Sequence, residues 1–243
     1  MVHRPGTLLR RAERIRRTEG LASLAGRAFA FVVGHIFQYQ TYYLLERNLE
    51  NVRTQNEADF LPRMEDFTLA MVSSNRQADE LEADGLEFRS HTLNARKALD
   101  RGAVAFCIFV GRELGSIGWV AMTQEAKDCL GEPPYKIDVL NNQASVAAVW
   151  TDPKYRRLGL REYGAFKRHR FMLDCGVRTR RIAILKRNIA FHMGSAKAGS
   201  QPYAAGRHLR VLWWMSWKER PLTPQEREAT AKREHATSEP HAG

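Results

Sequence analysis

The stretch from residue 147 to residue 161 reads Ala-Ala-Val-Trp-Thr-Asp-Pro-Lys-Tyr-Arg-Arg-Leu-Gly-Leu-Arg. Its apolar start predicts a strand that ends at Pro153, and an amphipathic helix is expected after the basic turn. A helix start presents unpaired backbone N–H groups and the positive end of the helix dipole to an anion. Gly159 lets the backbone approach a phosphate closely. Positive charge is added by Arg156, Arg157 and Arg161. The stretch therefore predicts a phosphate-binding turn.

This segment resembles the acyl-CoA-binding motif of GNAT N-acetyltransferases, in which a strand leads into Arg/Gln-x-x-Gly-x-Gly/Ala and a helix. The match is Arg156-x-x-Gly159-x-Arg161, with a large residue at the last position, where the family usually has a small one. A second match, Asn188-x-Ala190 followed by Lys197-x-Gly199, lies after a predicted strand, Thr179–Leu185. The resemblance covers roughly residues 67–217 and is strongest over 147–200.

The resemblance implies direct transfer of an acyl group from acetyl-CoA, or another acyl-CoA, to a primary amine, with no metal ion. It implies that the phosphates lie on the basic turn, that an asparagine approaches the pantetheine arm or the phosphates, and that a backbone N–H polarises the thioester carbonyl. The residues expected to bind the cofactor are Val149, Trp150, Thr151, Arg156, Arg157, Leu158, Gly159, Leu160, Arg161 and Asn188.

Three residues are candidates for the proton transfers that the reaction needs. His192 is a candidate base or acid because histidine is the side chain suited to proton transfer near neutral pH, although a lone histidine on a helix is more often structural. Ser195 falls where many family members carry a tyrosine that protonates the departing thiolate; the alternative is a small helix residue. Gln143 could orient a water molecule but is too weak a base to act alone. The predicted strand that ends at Trp150 carries no carboxylate.

The remaining pattern predicts a folded α/β domain, and the resemblance implies a GNAT-like mixed, mostly antiparallel central sheet flanked by helices, with an N-terminal helical extension. Two apolar runs separated by Gly-Arg-Glu at residues 111–113 predict a hairpin. Residues 124–142 are interpreted either as a loop over the acceptor site or as a surface excursion. The other predicted elements are strands over Thr68–Val72, Ser145–Trp150 and Leu209–Trp217, and a broken helical region over Ala78–Ala98.

The expected domain organisation has three parts. Residues 1–55 are predicted to be a basic and aromatic helical N-terminal extension, 56–219 the acyltransferase domain, and 220–243 a disordered tail. Residues 1–45 could contact an anionic membrane as an interfacial helix, or could pack on the domain or on a second copy in a homodimer. The apolar run in this region is too interrupted for a membrane span, and the pattern disfavours a secretory signal.

The net charge and the cysteine content restrict the location and the alternative functions of the protein. The chain has 243 residues, a formal net charge of +11 and three cysteines without metal-ligand spacing, which favours a cytoplasmic protein. The basic surface would also suit a nonenzymatic adaptor that binds nucleic acid or anionic lipid. Nucleic acid is disfavoured because no recognised nucleic-acid-binding motif accompanies the charge. A CoA-binding GNAT-like protein without transfer activity is the third hypothesis.

Overall fold

The computed structural model describes residues 37–226. The chain divides into two compact units. The described part of the larger unit comprises residues 42–206 and 219–226, and that of the smaller unit comprises residues 37–41 and 207–218. All of the residues predicted to bind the cofactor or to catalyse the reaction lie in the larger unit.

The larger unit is built on a mixed sheet. Its strand order is β2-β3-β4-β5-β6-β1-β7-β8, to which β1, β7 and β8 contribute those of their residues that belong to this unit. The pairs β1–β6, β2–β3, β3–β4 and β4–β5 are antiparallel, whereas β5 and β6 are parallel. This confirms the predicted fold class. The strands are β1 (Phe37–Asn48), β2 (Thr68–Val72), β3 (Ala103–Val110), β4 (Glu113–Ala121), β5 (Gln143–Thr151), β6 (Thr179–Leu185), β7 (Gln201–Val211) and β8 (Trp214–Pro221).

Helices cover both faces of the sheet. Those on one face pack on Ala105, Ile117 and Trp119, and the longest helix covers the other face through Phe166 and Met172. The helices are α1 (Asn75–Ala83), α2 (Ala95–Asp100), α3 (Gln124–Cys129), α4 (Leu160–Asp174) and α5 (Ile189–Lys197). Single 3-10 turns occur at Glu50–Val52, Glu57–Phe60, Arg89–His91, Val139–Asn141 and Pro153–Tyr155. The side chains of β5 therefore point into two separate cores, one on each face of the sheet.

The N-terminal extension differs from the prediction where the structure describes it. Phe37–Asn48 is a strand, and its segment from Tyr42 to Asn48 pairs with β6. Tyr43, Leu44 and Leu45 are all buried, so both sides of this segment are covered. The aromatic and apolar residues that suggested a helical arm favour a strand when both faces find a packing partner. The rest of the predicted extension, residues 1–36, lies outside the described residues.

Two predictions near the C-terminus also need correction. The single late strand predicted over Leu209–Trp217 is interrupted by a turn at residues 212–213, which separates β7 from β8. The predicted tail begins in ordered structure, because β8 reaches Pro221 and the Glu226 carboxylate accepts hydrogen bonds from Arg220. A side-chain ion pair within a charged segment carries no periodic signal in the sequence. Residues 227–243 lie outside the described residues.

Candidate functional site

Strand β5 leaves its parallel neighbour where the predicted site begins. It pairs with β6 only over Gln143–Ser145, although both strands continue beyond that point. Between Ala147 and Trp150, β5 has two residues where β4 has one, and Ala148 within this bulge has a φ of 45°. A bulge bends its strand and interrupts the hydrogen-bond ladder. The backbone of β5 beyond Ser145 therefore borders a gap in the sheet.

The turn after β5 leads into a helix start that has no side-chain cap. Arg157 and Gly159 have φ values of 67° and 88°, in the left-handed region. Gly159 is the N-cap residue of α4 and has no side chain with which to satisfy the first N–H groups. A Cβ at this position would also lie 3.2 Å from Pro62 Cα. The turn thus requires glycine and leaves the helix N-terminus open to an anion, as the sequence predicts.

The end of β5 beyond the gap and the turn that follows it line one cleft of about 540 Å³. The structure brings together all of the predicted cofactor-binding residues except Leu158, which packs beside Ile108 and Tyr155. The Leu158 carbonyl accepts a hydrogen bond from Arg63 N–H at 2.8 Å. The predicted residues that line the cleft are Val149, Trp150, Thr151, Arg156, Arg157, Gly159, Leu160, Arg161 and Asn188.

Two residues of this cleft have local roles that the motif does not reveal. The Arg161 guanidinium lies 4.1 Å from the centre of the Phe191 ring, where the positive charge faces the aromatic surface. Asn188 is the N-cap residue of α5, and its side-chain oxygen accepts a hydrogen bond from Phe191 N–H. The contact between Arg161 and Phe191 joins α4 to α5 at the wall of the cleft, and the Asn188 cap fixes the start of α5. The large residue at position 161 is therefore accommodated between α4 and α5.

The three predicted catalytic residues lie in different places. His192 is buried, and its Nε2 lies 3.0 Å from the Leu185 carbonyl oxygen, so its contacts are those of a structural histidine. Ser195 is also buried and lines a second cavity. Gln143 starts β5, at the opposite end from the cleft, and accepts a hydrogen bond from Asp138 N–H. The structure therefore does not group the three residues into one catalytic site.

A carboxylate missing from the sequence interpretation lies at the bulge. Glu132 Oε1 accepts a hydrogen bond from Ala148 N–H at 3.4 Å, and the side chain keeps partial exposure. Burial raises the pKa of Glu132 to about 7, against the opposing effects of Ala148 N–H and Lys127. Its segment is held down by Tyr135, whose hydroxyl lies 2.6 Å from Ser145 Oγ. The segment from Ala126 to Ile137 is therefore anchored by buried side chains, whereas Val139 and Leu140 are exposed.

A second cavity adjoins the cleft on the α4 side of the sheet. Its volume is about 120 Å³, and it shares Val149, Arg161, Glu162 and Phe191 with the larger cleft. Its walls carry several basic side chains that the sequence interpretation treated only as part of a charged run. The sequence did contain a sign that Arg180 is buried, because it lies on the same side of β6 as the core residues Ile182 and Ile184.

Comparisons with known proteins give structural matches only. No family model and no curated protein sequence matches the chain. A glucosamine N-acetyltransferase region of a fungal multi-domain β-N-acetylglucosaminidase matches at a TM-score of 0.47 and 12% identity, over 79% of this chain and 23% of that one. A Drosophila protein matches at 0.46 and 13%, over 77% and 57%. A tandem GNAT protein of clavulanic acid biosynthesis matches at 0.45 and 16%, over 82% and 59%.

Most of the matched structures are GCN5-related acetyltransferases. The chain spans 57% and 23% of the first two proteins whose structures it matches. None of the helices between residues 37 and 226 has the length and apolar character that crossing a bilayer requires. Within those residues, no group of three or more His, Cys, Asp or Glu side chains is placed to hold a metal ion.

Proposed function

We propose that the protein is an acyl-CoA-dependent N-acyltransferase that moves an acetyl or other acyl group directly onto a primary amine. The observation that carries this proposal is the gap between β5 and β6 beside the uncapped start of α4. The turn from Arg156 to Gly159 would hold the cofactor phosphates, and the gap would receive the pantetheine arm. The backbone N–H groups from Val149 to Thr151 are the candidates for polarising the thioester carbonyl.

Glu132 is the proposed general base. Its carboxyl group lies at the bulge, and a pKa of about 7 lets it accept a proton near neutral pH. The amine nitrogen attacks the thioester carbon and transfers a proton to Glu132. A C–N bond forms, the C–S bond breaks, and the CoA thiolate takes a proton from water. This base replaces the predicted His192, whose buried ring contacts the Leu185 carbonyl oxygen.

Calorimetric titration with acetyl-CoA, with ATP as the electrostatic control, tests the cofactor site. Gly159→Glu should weaken acetyl-CoA binding by more than about tenfold, or about 1.4 kcal/mol, because it adds a side chain and a negative charge to the phosphate turn. Gly176→Glu is the matched control, since Gly176 also has a positive φ and follows the same helix, with nothing within 4 Å of its Cβ position. The double change Arg156→Ala, Arg157→Ala should weaken binding similarly.

The same titration, combined with an assay of acyl transfer, separates the transferase from the two alternative functions. Equal affinity for ATP and acetyl-CoA would favour a basic adaptor, and tight acetyl-CoA binding in the Gly159→Glu variant would contradict the assigned cleft. Selective acetyl-CoA binding without transfer to any amine in a broad acceptor panel would favour a CoA-binding protein without transferase activity. Contact of residues 1–45 with an anionic membrane, a homodimer and a cytoplasmic location stay predictions.

A further inference from the structure

The second cavity concentrates buried positive charge. We name it the arginine chamber, after four arginines in its lining: Arg47, Arg161, Arg168 and Arg180. Arg168 and Arg180 are only 4% and 6% exposed. They come from α4 and β6, the elements that enclose the chamber, so both sides contribute a cation. Ser195 and Ser200 add hydroxyl groups to the wall.

None of the four arginines forms an ion pair with a carboxylate among residues 37–226, although the neighbouring Glu162 charge partly opposes the effect of burial, which lowers the pKa of Arg161. The only acidic residue in the lining is Glu162, which is exposed and forms no ion pair with any of the four. The Nε atoms of Arg168 and Arg180 are buried and have no hydrogen-bond partner. Buried charges in proteins are normally paired and hydrogen-bonded, because an uncompensated buried charge costs several kcal/mol. The arginine chamber is therefore an electropositive cavity whose lining favours a negatively charged ligand.

The surrounding groups increase this imbalance. Burial and the neighbouring guanidinium groups lower the pKa of Arg168 to about 9 and that of Arg180 to about 10, which still leaves both charged at neutral pH. Burial, with the same arginines, holds the pKa of His169 well below its usual value, so its imidazole is neutral. Arg47 Nη1 lies 3.3 Å from His169 Nδ1, which can accept a hydrogen bond from it. His169 supplies no compensating negative charge.

The chemistry of the lining selects a class of ligand. Guanidinium groups present N–H donors in a fixed fork that matches a carboxylate or a phosphate. Arg180 Nη2 donates a hydrogen bond to Ser200 Oγ, which orients that guanidinium inside the chamber. A volume of about 120 Å³ accommodates a compact group rather than a nucleotide. The ligand should therefore be a small oxyanion or the anionic end of a larger molecule.

The position of the chamber indicates how the oxyanion arrives. Val149 and Arg161 line both the chamber and the cleft, so the two are adjacent at the bulge. We propose that the arginine chamber binds a compact oxyanion, a carboxylate or phosphate, that is either carried at the end of the acyl chain on CoA or bound as a free ion. The first source rests on the proposed function, because it requires acyl-CoA in the cleft. The second source does not.

Calorimetry of the full chain in phosphate-free buffer tests the chamber with acetyl-CoA, succinyl-CoA and inorganic phosphate as probes. If the acyl chain carries the oxyanion, succinyl-CoA should bind about tenfold more tightly than acetyl-CoA, or about 1.4 kcal/mol. Arg168→Gln and Arg180→Gln should remove most of that preference. Arg178→Gln is the matched control, because Arg178 is an exposed arginine two residues before Arg180. If the oxyanion is free, phosphate should bind the wild type and the control but neither chamber variant.

The folding of the variants is checked by urea unfolding without ligand. Arg168→Met is a second variant that keeps an unbranched side chain and removes the buried charge, so it should fold even if Arg168→Gln does not. The proposal is overturned if neither succinyl-CoA nor phosphate distinguishes the wild type from the folded chamber variants. Phosphate binding without any CoA binding would instead refute the acyltransferase function, while the proposal that the chamber binds an oxyanion would stand. Equal binding of both acyl-CoAs, with no phosphate binding, would refute the chamber alone.

Discussion

The two faces of the sheet present opposite charges to strand β5 at its bulge. On the α4 face, Val146 and Val149 border the arginine chamber. On the other face, Glu132 contacts the backbone at Ala148, and Ala147 packs with the core that includes Trp119. Because side chains alternate along a strand, one short segment borders both environments. The sheet keeps the carboxylate and the guanidinium groups from neutralising one another.

This separation gives each face a different chemical task. A carboxyl group with a pKa near 7 suits the removal of a proton from an amine, whereas unpaired guanidinium groups suit an oxyanion. If Glu132 lay in the chamber, the arginines would lower its pKa and make it a weaker base. Beyond Ser145, β5 no longer pairs with β6, so the gap between these strands borders both faces of the sheet. An acyl-CoA in that gap would meet the base on one side and the anion site on the other.

The largest expected effect comes from removing the charge on the carboxylate face. Glu132→Gln should lower turnover at pH 7 by about 100-fold or more, since general-base catalysis typically contributes 10²–10⁴-fold. Acetyl-CoA binding should change little, because the phosphate turn is untouched. The assay measures CoA release with an amine that the wild type accepts, over a range of pH, and the wild-type rate should rise through an apparent pKa near 7.

Glu125→Gln provides the control for this change, because Glu125 is an exposed acid on the preceding helix α3. It should leave both the rate and the pH profile unchanged. A Glu132→Gln variant with the wild-type rate and pH profile would exclude Glu132 as the base. The two faces would then differ in charge without differing in catalytic task.

The same carboxylate should make stability depend on pH. Its pKa is about 7 in the folded protein and near the ordinary value of 4.5 when unfolded, so between these values the folded state binds more protons. Stability from this group should therefore be greatest below about pH 4.5 and fall as the pH rises to 7, by about 1–3 kcal/mol. Glu132→Gln should stabilise the protein more at pH 8 than at pH 5, as measured by urea unfolding.

The arginine face gives this measurement its internal comparison. With a pKa of about 10, Arg180 stays charged from pH 5 to pH 8, so Arg180→Gln should change stability by nearly the same amount at both pH values. An equal effect of Glu132→Gln at pH 5 and pH 8 would mean that the Glu132 pKa is not raised. The carboxylate face would then be an ordinary solvated surface.

The parts of this arrangement that follow local sequence rules could be predicted. The strands Thr68–Val72 and Thr179–Leu185 have the predicted bounds, and the predicted hairpin is formed by β3 and β4, because apolar runs and turn residues define these elements locally. The glycine turn before α4 was predictable for the same reason, since Gly159 and the neighbouring arginines lie within a few residues. Phe37–Asn48 was not, because a strand far from its partner in the sequence is selected by tertiary packing.

The charged groups at the bulge depend on long-range contacts. Glu132 follows a glycine and precedes two prolines, a context that predicts a turn and gives no sign that the carboxylate reaches Ala148. Arg168 lies one helical repeat, seven residues, beyond Arg161 on α4, but a stripe of arginines on a helix usually faces solvent. Only the contact with β4 shows that Arg168 is enclosed. The sequence therefore locates the turn that precedes α4 but not the buried charges near it.

The smallest expected effect comes from crowding the arginine face without changing any charge. A Cβ at Gly118 would lie 2.6 Å from Arg168 Cζ, so Gly118→Ala should displace the guanidinium from β4. Gly118 also lies opposite the bulge, between Ile117 and Trp119. The preference for succinyl-CoA over acetyl-CoA, or the binding of phosphate, should fall about fivefold, or about 1 kcal/mol. Calorimetry with the probes used for the arginine variants measures this change.

Gly115→Ala is the matched control on the same strand, because its Cβ would crowd Leu160 and Val110 rather than a charged group. It should keep the oxyanion preference, even if the steric strain lowers stability by a similar amount. If both alanine variants lose the preference equally, the effect comes from distortion of β4 and not from the position of Arg168. Loss in Gly118→Ala alone would tie oxyanion binding to the placement of one guanidinium on one face of the sheet.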